Sequence, residues 1–190
     1  MRIVLLGAPG SGKGTQAALM FEQLELPHIS TGELLRGAAK NGTELGLKAK
    51  SIIERGDLVP DEIMLGIIEE RLSQADVVNG FILDGYPRNV DQARSLDVVL
   101  ARLNTPLDDA IQIDVDPEAV IQRIAKRAQE EGRADDSEDV VRNRMKIYEE
   151  KTAPVIDYYA NQGLLTRVLG DGTVEEVLQR ILSVLNVKQS

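Results

Sequence analysis

Residues 7–15, Gly-Ala-Pro-Gly-Ser-Gly-Lys-Gly-Thr, are the most informative segment for the fold class. It follows the candidate strand Arg2–Leu6 and precedes the apolar-periodic stretch Gln16–Leu24, so it stands at a strand-to-helix junction. Glycines there let successive backbone N–H groups converge on phosphate oxygens, and the helix presents its positive end to the same anion. Lys13 adds a full positive charge. A glycine-rich turn capping an edge strand is the alternative, but the junction favours a phosphate-binding loop.

The residue after Lys13 departs from the usual form of this motif. Gly14 stands where a Ser or Thr normally places its hydroxyl on Mg²⁺, and Thr15 comes one position later. This weakens an interpretation as a GTPase or a motor ATPase, which depend on that hydroxyl. The chain also contains no Asn-Lys-x-Asp guanine motif.

Around the loop, short apolar runs alternate with longer helical patterns, which predicts a parallel sheet wrapped by helices. Two helix starts are explicit in the sequence. Asp116-Pro117 combines an N-cap with proline at the first helical position, and Thr173 with Glu176 has capping-box spacing. The five candidate strands are Arg2–Leu6, Pro27–Ser30, Gly80–Asp84, Ala110–Val115 and Leu164–Val168.

Composition narrows the class of protein. With 190 residues, 43% of them hydrophobic, the chain fits one domain with small mobile appendages. The net charge of -9 argues against a general affinity for nucleic acid or for anionic membranes. There is no cysteine, which excludes disulfides, thiolate zinc sites and cysteine nucleophiles. The N-terminal apolar run is too short for a signal peptide, and no run approaches the roughly 20 residues of a membrane span, so we expect a cytoplasmic protein.

Two polar segments and a group of arginines need a separate explanation. Residues 30–59 and 126–136 have helical patterns with little apolar surface, as expected of a solvated surface or of mobile flaps over a site. The arginines at 123, 127, 133, 142 and 144 all fall within one short segment. They either pair with neighbouring acids on a solvated face or bind phosphate, and we expect only Arg142 to be of the first kind.

The glycine-rich loop resembles that of the nucleoside monophosphate kinases, and of the adenylate kinases above all. Four further segments match the same family in order, and the resemblance covers nearly the whole chain. They are Ser-Thr-Gly-Glu-Leu-Leu-Arg at 30–36, Gly-Asp-Leu-Val-Pro-Asp at 56–61, Asp-Gly-Tyr-Pro-Arg-Asn at 84–89 and Gly-Arg-Ala-Asp-Asp at 132–136.

The resemblance implies a P-loop NTPase-like, three-layer α/β fold with a five-stranded parallel sheet. It also implies a core of residues 1–29, 60–125 and 137–190, a flap for the nucleoside monophosphate (NMP) at 30–59, and a short lid at 126–136. We expect hinges near Ser30, Val59, Lys126 and Ser137. Many bacterial relatives carry a longer lid, sometimes with a four-cysteine zinc site; this chain has neither, so no zinc is expected.

The activity that the resemblance implies is Mg²⁺-dependent, reversible transfer of the γ-phosphoryl group of ATP to AMP, giving two ADP. Arg36 and Arg88 would bind the AMP phosphate, while the arginines at 123, 127, 133 and 144 would hold the ATP phosphates and the transferring group. Thr31 and Gln92 would recognise adenine, whereas UMP/CMP kinases tend to carry Ala and Asn there. The implied ATP-binding residues are Gly10, Ser11, Gly12, Lys13, Gly14, Thr15, Arg123, Arg127 and Gly172. The implied AMP-binding residues are Thr31, Arg36, Asp57, Leu58, Val59, Gly85, Tyr86, Pro87, Arg88, Gln92, Arg133 and Arg144.

Asp84 is the candidate ligand for Mg²⁺. It ends the apolar run Phe81–Leu83, at the carboxyl end of a predicted central strand, where open α/β sheets bind ligands. A carboxylate there can hold a water molecule of the Mg²⁺ shell, although a turn cap is the plainer alternative. His28, the only histidine, is expected to be packed rather than catalytic, and the chemistry requires no general base.

Two other functions stay open at this point. A UMP/CMP kinase would share the fold and the chemistry with a different acceptor, and a P-loop nucleotide-binding module would bind nucleotide with little turnover. A purely structural α/β protein would leave the clustered arginines unexplained. No spare apolar face is evident, so we expect a monomer.

Overall fold

The computed structural model describes residues 1–131 and 136–189. Its strands are β1 (Arg2–Leu6), β2 (His28–Ser30), β3 (Phe81–Asp84), β4 (Asp109–Asp114) and β5 (Leu165–Leu169). Its α-helices are α1 (Lys13–Leu24), α2 (Thr31–Lys40), α3 (Glu44–Glu54), α4 (Asp61–Leu72), α5 (Val90–Arg102), α6 (Pro117–Glu131), α7 (Glu138–Ile147), α8 (Ala153–Asn161) and α9 (Val174–Gln189). A short 3₁₀ helix covers Ala75–Val77, and a π-helical turn at Tyr148–Thr152 joins α7 to α8.

The five strands form one parallel sheet in the order β2-β3-β1-β4-β5. All carboxyl ends therefore lie at the same edge. Leu5 of β1 pairs with Asp84 of β3, so the loop after β1 and the loop after β3 leave the sheet side by side. Ligands of open parallel sheets bind at this edge.

Side chains of β1 alternate between two cores, one on each face of the sheet. Ile3 and Leu5 pack in a cluster with α1 and α9, whereas Val4 and Leu6 pack in a cluster with α4, α5 and α8. Alternation of this kind, with helices on both faces, makes a three-layer α/β fold. The predicted fold class is confirmed.

Local sequence signals predicted the bounds of the strands and the starts of two helices accurately. Every predicted strand lies within one residue of the observed one at each end. The Asp116 carboxylate accepts a hydrogen bond of 2.9 Å from the backbone N–H of Glu118, which starts α6. At the start of α9, the Thr173 N–H donates to Glu176 Oε2 at 2.8 Å, and the Glu176 N–H donates to Thr173 Oγ1 at 3.2 Å. Both predicted caps are confirmed.

Residues 30–59 contribute more to the core than their composition predicted. Leu35, Ala49 and Val59 are buried in the same cluster as Val4 and Leu6 of β1. Thr31 and Leu35 are buried one helical turn apart, so α2 has one buried face despite its polar average. The polar composition of this segment therefore understated its contribution to the core. Across residues 1–131 and 136–189, no helix is long and apolar enough to cross a membrane.

Candidate active site

The glycine-rich loop connects β1 to α1 at the carboxyl edge of the sheet. Gly10 and Gly12 have φ values of 81° and 93°, a left-handed conformation that favours glycine. A Cβ on Gly10 would lie 2.6 Å from the Ile124 side chain, so glycine also lets the loop pack closely against α6. Backbone conformation at both positions, and close packing at Gly10, therefore require glycine in this loop.

Lys13, the first residue of α1, contacts the start of the glycine-rich loop through its side chain. Its Nζ donates to the carbonyl oxygens of Gly7 at 2.8 Å and Ala8 at 2.9 Å. The pKa of the Lys13 ammonium is lowered to about 8, above all by burial; the Asp84 carboxylate opposes this shift, and the nearby Arg88, Arg144 and Arg127 charges add to it. The ammonium is thus an anchored cation that stays mostly protonated at pH 7 and loses its proton as the pH rises through about 8.

Asp84 ends β3 directly beside the loop, and a Cβ on Gly14 would lie 3.6 Å from its Oδ2. Burial alone would raise the pKa of this carboxyl, but the neighbouring His28, Lys13 and Arg88 outweigh burial and keep the pKa below its usual value. Asp84 is therefore ionised at neutral pH. His28 is largely buried, and its Nε2 lies 3.9 Å from Asp84 Oδ2, which is beyond hydrogen-bond distance.

Two adjoining cavities open at this edge. The larger has a volume of about 490 Å³ and is lined by the glycine-rich loop with Lys13, Asp84 and Arg127. The smaller has a volume of about 60 Å³. Its walls include Thr31, Asp57, Leu58, Val59, Tyr86 and Gln92, as well as three residues not predicted from sequence, Leu35, Ile53 and Met64.

Three of the predicted arginines, Arg36, Arg88 and Arg144, line both cavities. They come from α2, the loop after β3, and α7, so the fold brings together positive charges that are far apart in sequence. Positive side chains at the junction of two cavities suit a group that passes from one to the other while carrying negative charge.

Arg88 is held in place from three sides. Its Nε donates to the Gly85 carbonyl at 2.8 Å, and its backbone N–H donates to Gln92 Oε1 at 2.7 Å. Its carbonyl accepts a hydrogen bond of 2.8 Å from Thr152 Oγ1. Gly85 is needed beside it, because its φ is 83° and a Cβ would lie 2.7 Å from Thr31 Oγ1.

Arg127 and Arg144 share one carboxylate. Asp136 is 6% exposed; it accepts from Arg127 Nε at 2.7 Å and from Arg144 at 3.1 Å. This contact joins α6 to α7 next to the larger cavity. Arg133, the remaining predicted lid arginine, lies outside the described residues.

Arg123 and Gly172 are not among the described residues that line the two cavities. The Arg123 guanidinium donates to the Gly170 carbonyl at 2.9 Å and to the Ser11 carbonyl at 3.5 Å, so it ties the glycine-rich loop to the β5–α9 connection. Gly172 stands in that connection with φ of 108°. Arg142 is exposed and pairs with Glu138 at 2.7 Å, as expected for a solvated ion pair.

Sequence reasoning missed several residues that shape the site. Tyr148 and Thr152 line the larger cavity from the π-helical turn. The Asn143 side chain of α7 donates to Asp57 Oδ1 at 3.0 Å, which ties α7 to the loop after α3. Asp61 contacts Gln92 from the start of α4. No sequence pattern marks Asn143, Tyr148 or Thr152, although π-helical turns frequently occur at functional sites. Asp61 ends the matching segment 56–61, but its contact with Gln92 could not be predicted from that match.

Comparison with known proteins agrees with this geometry. The family model described as "Adenylate kinase" matches residues 5–164. A protein named "Adenylate kinase" from Xanthomonas campestris pv. campestris (strain 8004) is 58% identical over 181 residues, covering 95% of this chain and 97% of the relative. Proteins of the same name from Xylella fastidiosa (strain 9a5c) and Stenotrophomonas maltophilia (strain K279a) are 56% and 54% identical over 185 residues, each covering 97% of this chain and 99% of the relative. The chain therefore belongs to the adenylate kinase family.

Proposed function

We propose that this chain catalyses the reversible, Mg²⁺-dependent transfer of the γ-phosphoryl group of ATP to AMP, giving two ADP. Beyond the family match, one observation carries the proposal. The cavity at the glycine-rich loop and the cavity at Thr31 and Gln92 meet at Arg36, Arg88 and Arg144. A donor in one cavity and an acceptor in the other would place the transferring group among these arginines.

On the donor side, the loop backbone N–H groups, the α1 N-terminus and Lys13 would bind the ATP phosphates. Ser11, Gly12, Gly14 and Thr15 belong to this set. Arg127 would add charge from the cavity wall, whereas Arg123 would act through its hold on the loop at Ser11. Gly172 would lie against the adenine of ATP.

On the acceptor side, Arg36 and Arg88 would bind the AMP phosphate, and Thr31 and Gln92 would recognise its base. The amide of Gln92 both donates and accepts hydrogen bonds, which matches the N1 and N6 edge of adenine. Gln92 is 3% exposed and Thr31 is 1% exposed, so base recognition would occur in a dry environment.

Phosphoryl transfer requires alignment of the two nucleotides, neutralisation of charge and exclusion of water. It requires neither a nucleophilic side chain nor a general base. The AMP phosphate is already a nucleophile at neutral pH, and the arginines neutralise charge on the transferring group. We infer that residues 30–59 and 126–136 close over the two nucleotides and keep water from attacking ATP.

Mg²⁺ would be held near Asp84. Mg²⁺ sites in phosphoryl-transfer enzymes use one or two carboxylates together with substrate phosphates and water, and the ionised, buried carboxylate of Asp84 beside the glycine-rich loop fits that need. When bound, the ion neutralises the charge of the ATP phosphates. Asp84 would hold the ion through one of its water ligands.

We also infer that the protein works as a monomer in the cytoplasm. The inference of a monomer is supported by the walls of both cavities, in which this chain's glycine-rich loop and its Arg36, Arg88 and Arg144 supply the predicted phosphate-binding groups. Sedimentation at micromolar concentration would measure the mass directly.

The test is to offer MgATP with AMP, CMP or UMP and to quantify the diphosphates formed. We expect AMP to be the preferred acceptor. Arg88→Ala should lower kcat/KM for AMP about a hundredfold, since charged contacts to the transferring group are lost. The matched control is Arg94→Ala, because Arg94 is exposed on α5, pairs with Asp91 and is not among the residues that line either cavity. If CMP or UMP were preferred to AMP, the acceptor would be a pyrimidine nucleoside monophosphate. Equal kcat/KM values for Arg88→Ala and Arg94→Ala would contradict the role assigned to Arg88.

A further inference from the structure

The Gln92 side chain is held at both ends of its amide. Its Oε1 accepts a hydrogen bond of 2.7 Å from the backbone N–H of Arg88, and its Nε2 donates one of 2.7 Å to Asp61 Oδ1. Asp61 also accepts from Asn89 Nδ2 at 3.1 Å, and Asn89 Oδ1 accepts from the Gln92 backbone N–H at 2.8 Å. The amide thus belongs to a closed network at the wall of the smaller cavity.

The network permits only one orientation of the amide. If oxygen and nitrogen exchanged places, Nε2 would face the Arg88 N–H, donor against donor, and Oε1 would face the Asp61 carboxylate, acceptor against acceptor. A primary amide has two N–H groups and two lone pairs. The network uses one N–H and one lone pair of Gln92, so one of each remains for a ligand in the cavity that Gln92 lines.

Orientation of the amide determines which purine it matches. Adenine offers an acceptor at N1 beside a donor at N6, and a 6-oxopurine such as hypoxanthine offers a donor at N1 beside an acceptor at O6. In one and the same position in the cavity, the two bases therefore require opposite orientations of the Gln92 amide. An amide free to turn over would accept both.

We propose that Asp61 is a positioning residue that fixes the Gln92 amide in the orientation for a 6-aminopurine and thereby excludes 6-oxopurine monophosphates. The proposal rests on the assignment of the smaller cavity to the acceptor nucleotide. Asp61 acts through Gln92 and does not line either cavity. Discrimination by an enforced mismatch is effective because the wrong base leaves buried polar groups unpaired.

Asp61 also stabilises the start of α4, and the test must distinguish this structural role from its effect on the Gln92 amide. It is the first residue of α4, where a carboxylate stabilises the helix dipole. Glu62 follows it in the same first turn, is exposed, and carries the same charge. Glu62→Ala is therefore the matched control, because it removes the same charge from the same turn and leaves the Gln92 network intact.

The experiment measures kcat/KM for AMP and for IMP with MgATP in the wild type, Asp61→Ala, Asp61→Asn and Glu62→Ala. It also measures the binding of AMP and IMP by calorimetry. Loss of one charge-assisted hydrogen bond should raise the IMP-to-AMP ratio of kcat/KM about tenfold in Asp61→Ala, mainly through KM. Asp61→Asn keeps one acceptor oxygen and should raise the ratio less, and Glu62→Ala should leave it unchanged.

An unchanged ratio in a folded Asp61→Ala protein would overturn the proposal, as would an equal rise in Glu62→Ala. If Asp61→Ala does not fold, Asp61→Asn decides, and an unchanged ratio there overturns it. A wild type that prefers CMP or UMP to AMP would instead refute the acceptor assignment, so the two failures are distinguishable.

Discussion

The pKa of Lys13 makes ATP binding depend on pH above neutrality. Burial brings the pKa of this ammonium to about 8 in the ligand-free protein. Only the protonated form carries the charge that binds phosphate. The affinity for ATP should therefore be highest well below pH 8 and should fall as the pH rises through that value.

The size of the effect follows from the titration of one group. At pH 7 nearly all Lys13 side chains are charged, and at pH 9 about one in eleven is. Bound polyphosphate keeps the ammonium protonated, so the Kd for ATP should rise about tenfold between pH 7 and pH 9, or about 1.4 kcal/mol.

Titration calorimetry with ATP at pH 7, 8 and 9 checks this expectation. Lys13→Arg is the control, because a guanidinium stays charged throughout this range and removes the titration of residue 13 while the titration of ATP itself remains. A wild-type Kd that stays flat would refute the assigned pKa. An equal rise in Lys13→Arg would show that another group titrates.

Two further predictions concern carboxylates at the site. Asp84→Asn keeps the shape of the side chain but removes its charge, so turnover should fall at least about tenfold and half-saturation should require more Mg²⁺; an unchanged Mg²⁺ dependence in steady-state kinetics would contradict the metal role. Asp136→Ala removes the buried carboxylate that accepts hydrogen bonds from both Arg127 and Arg144, whose side chains are only 24% and 15% exposed, which should lower the free energy of unfolding by about 2–3 kcal/mol. For a domain of this size the melting temperature should drop by about 5–10 °C in calorimetry. Asp139→Ala on the exposed start of α7 should shift it little, and equal shifts in both variants would refute the buried ion-pair account.

Sequence alone predicted the parts of this fold that depend on local signals. The starts of β2 and β3 were predicted to within one residue because Pro27 and Gly80 stand directly before their apolar runs. The start of α9 followed from Thr173 and Glu176, which lie within one turn of each other. The glycine-rich loop was predicted because its chemistry is contained in nine consecutive residues.

Local sequence signals could not predict the contacts that orient the site residues, because those contacts join distant parts of the chain. Asp61 and Gln92 are 31 residues apart, and Thr152 reaches the Arg88 carbonyl across 64 residues. The order of strands in the sheet determines which helix ends meet there, and residue type at either position does not reveal it. Arg123 illustrates the limit in another way: its charge suggested phosphate binding, whereas its described contacts are with backbone carbonyls.

The most direct test of the central claim is ³¹P NMR of the purified protein with Mg²⁺ and ADP as the only nucleotide. We expect ATP and AMP to appear in equal amounts until equilibrium, because each transfer joins one ADP as donor to another as acceptor. An ADP signal that stays unchanged, in a folded protein that binds ADP, would contradict it.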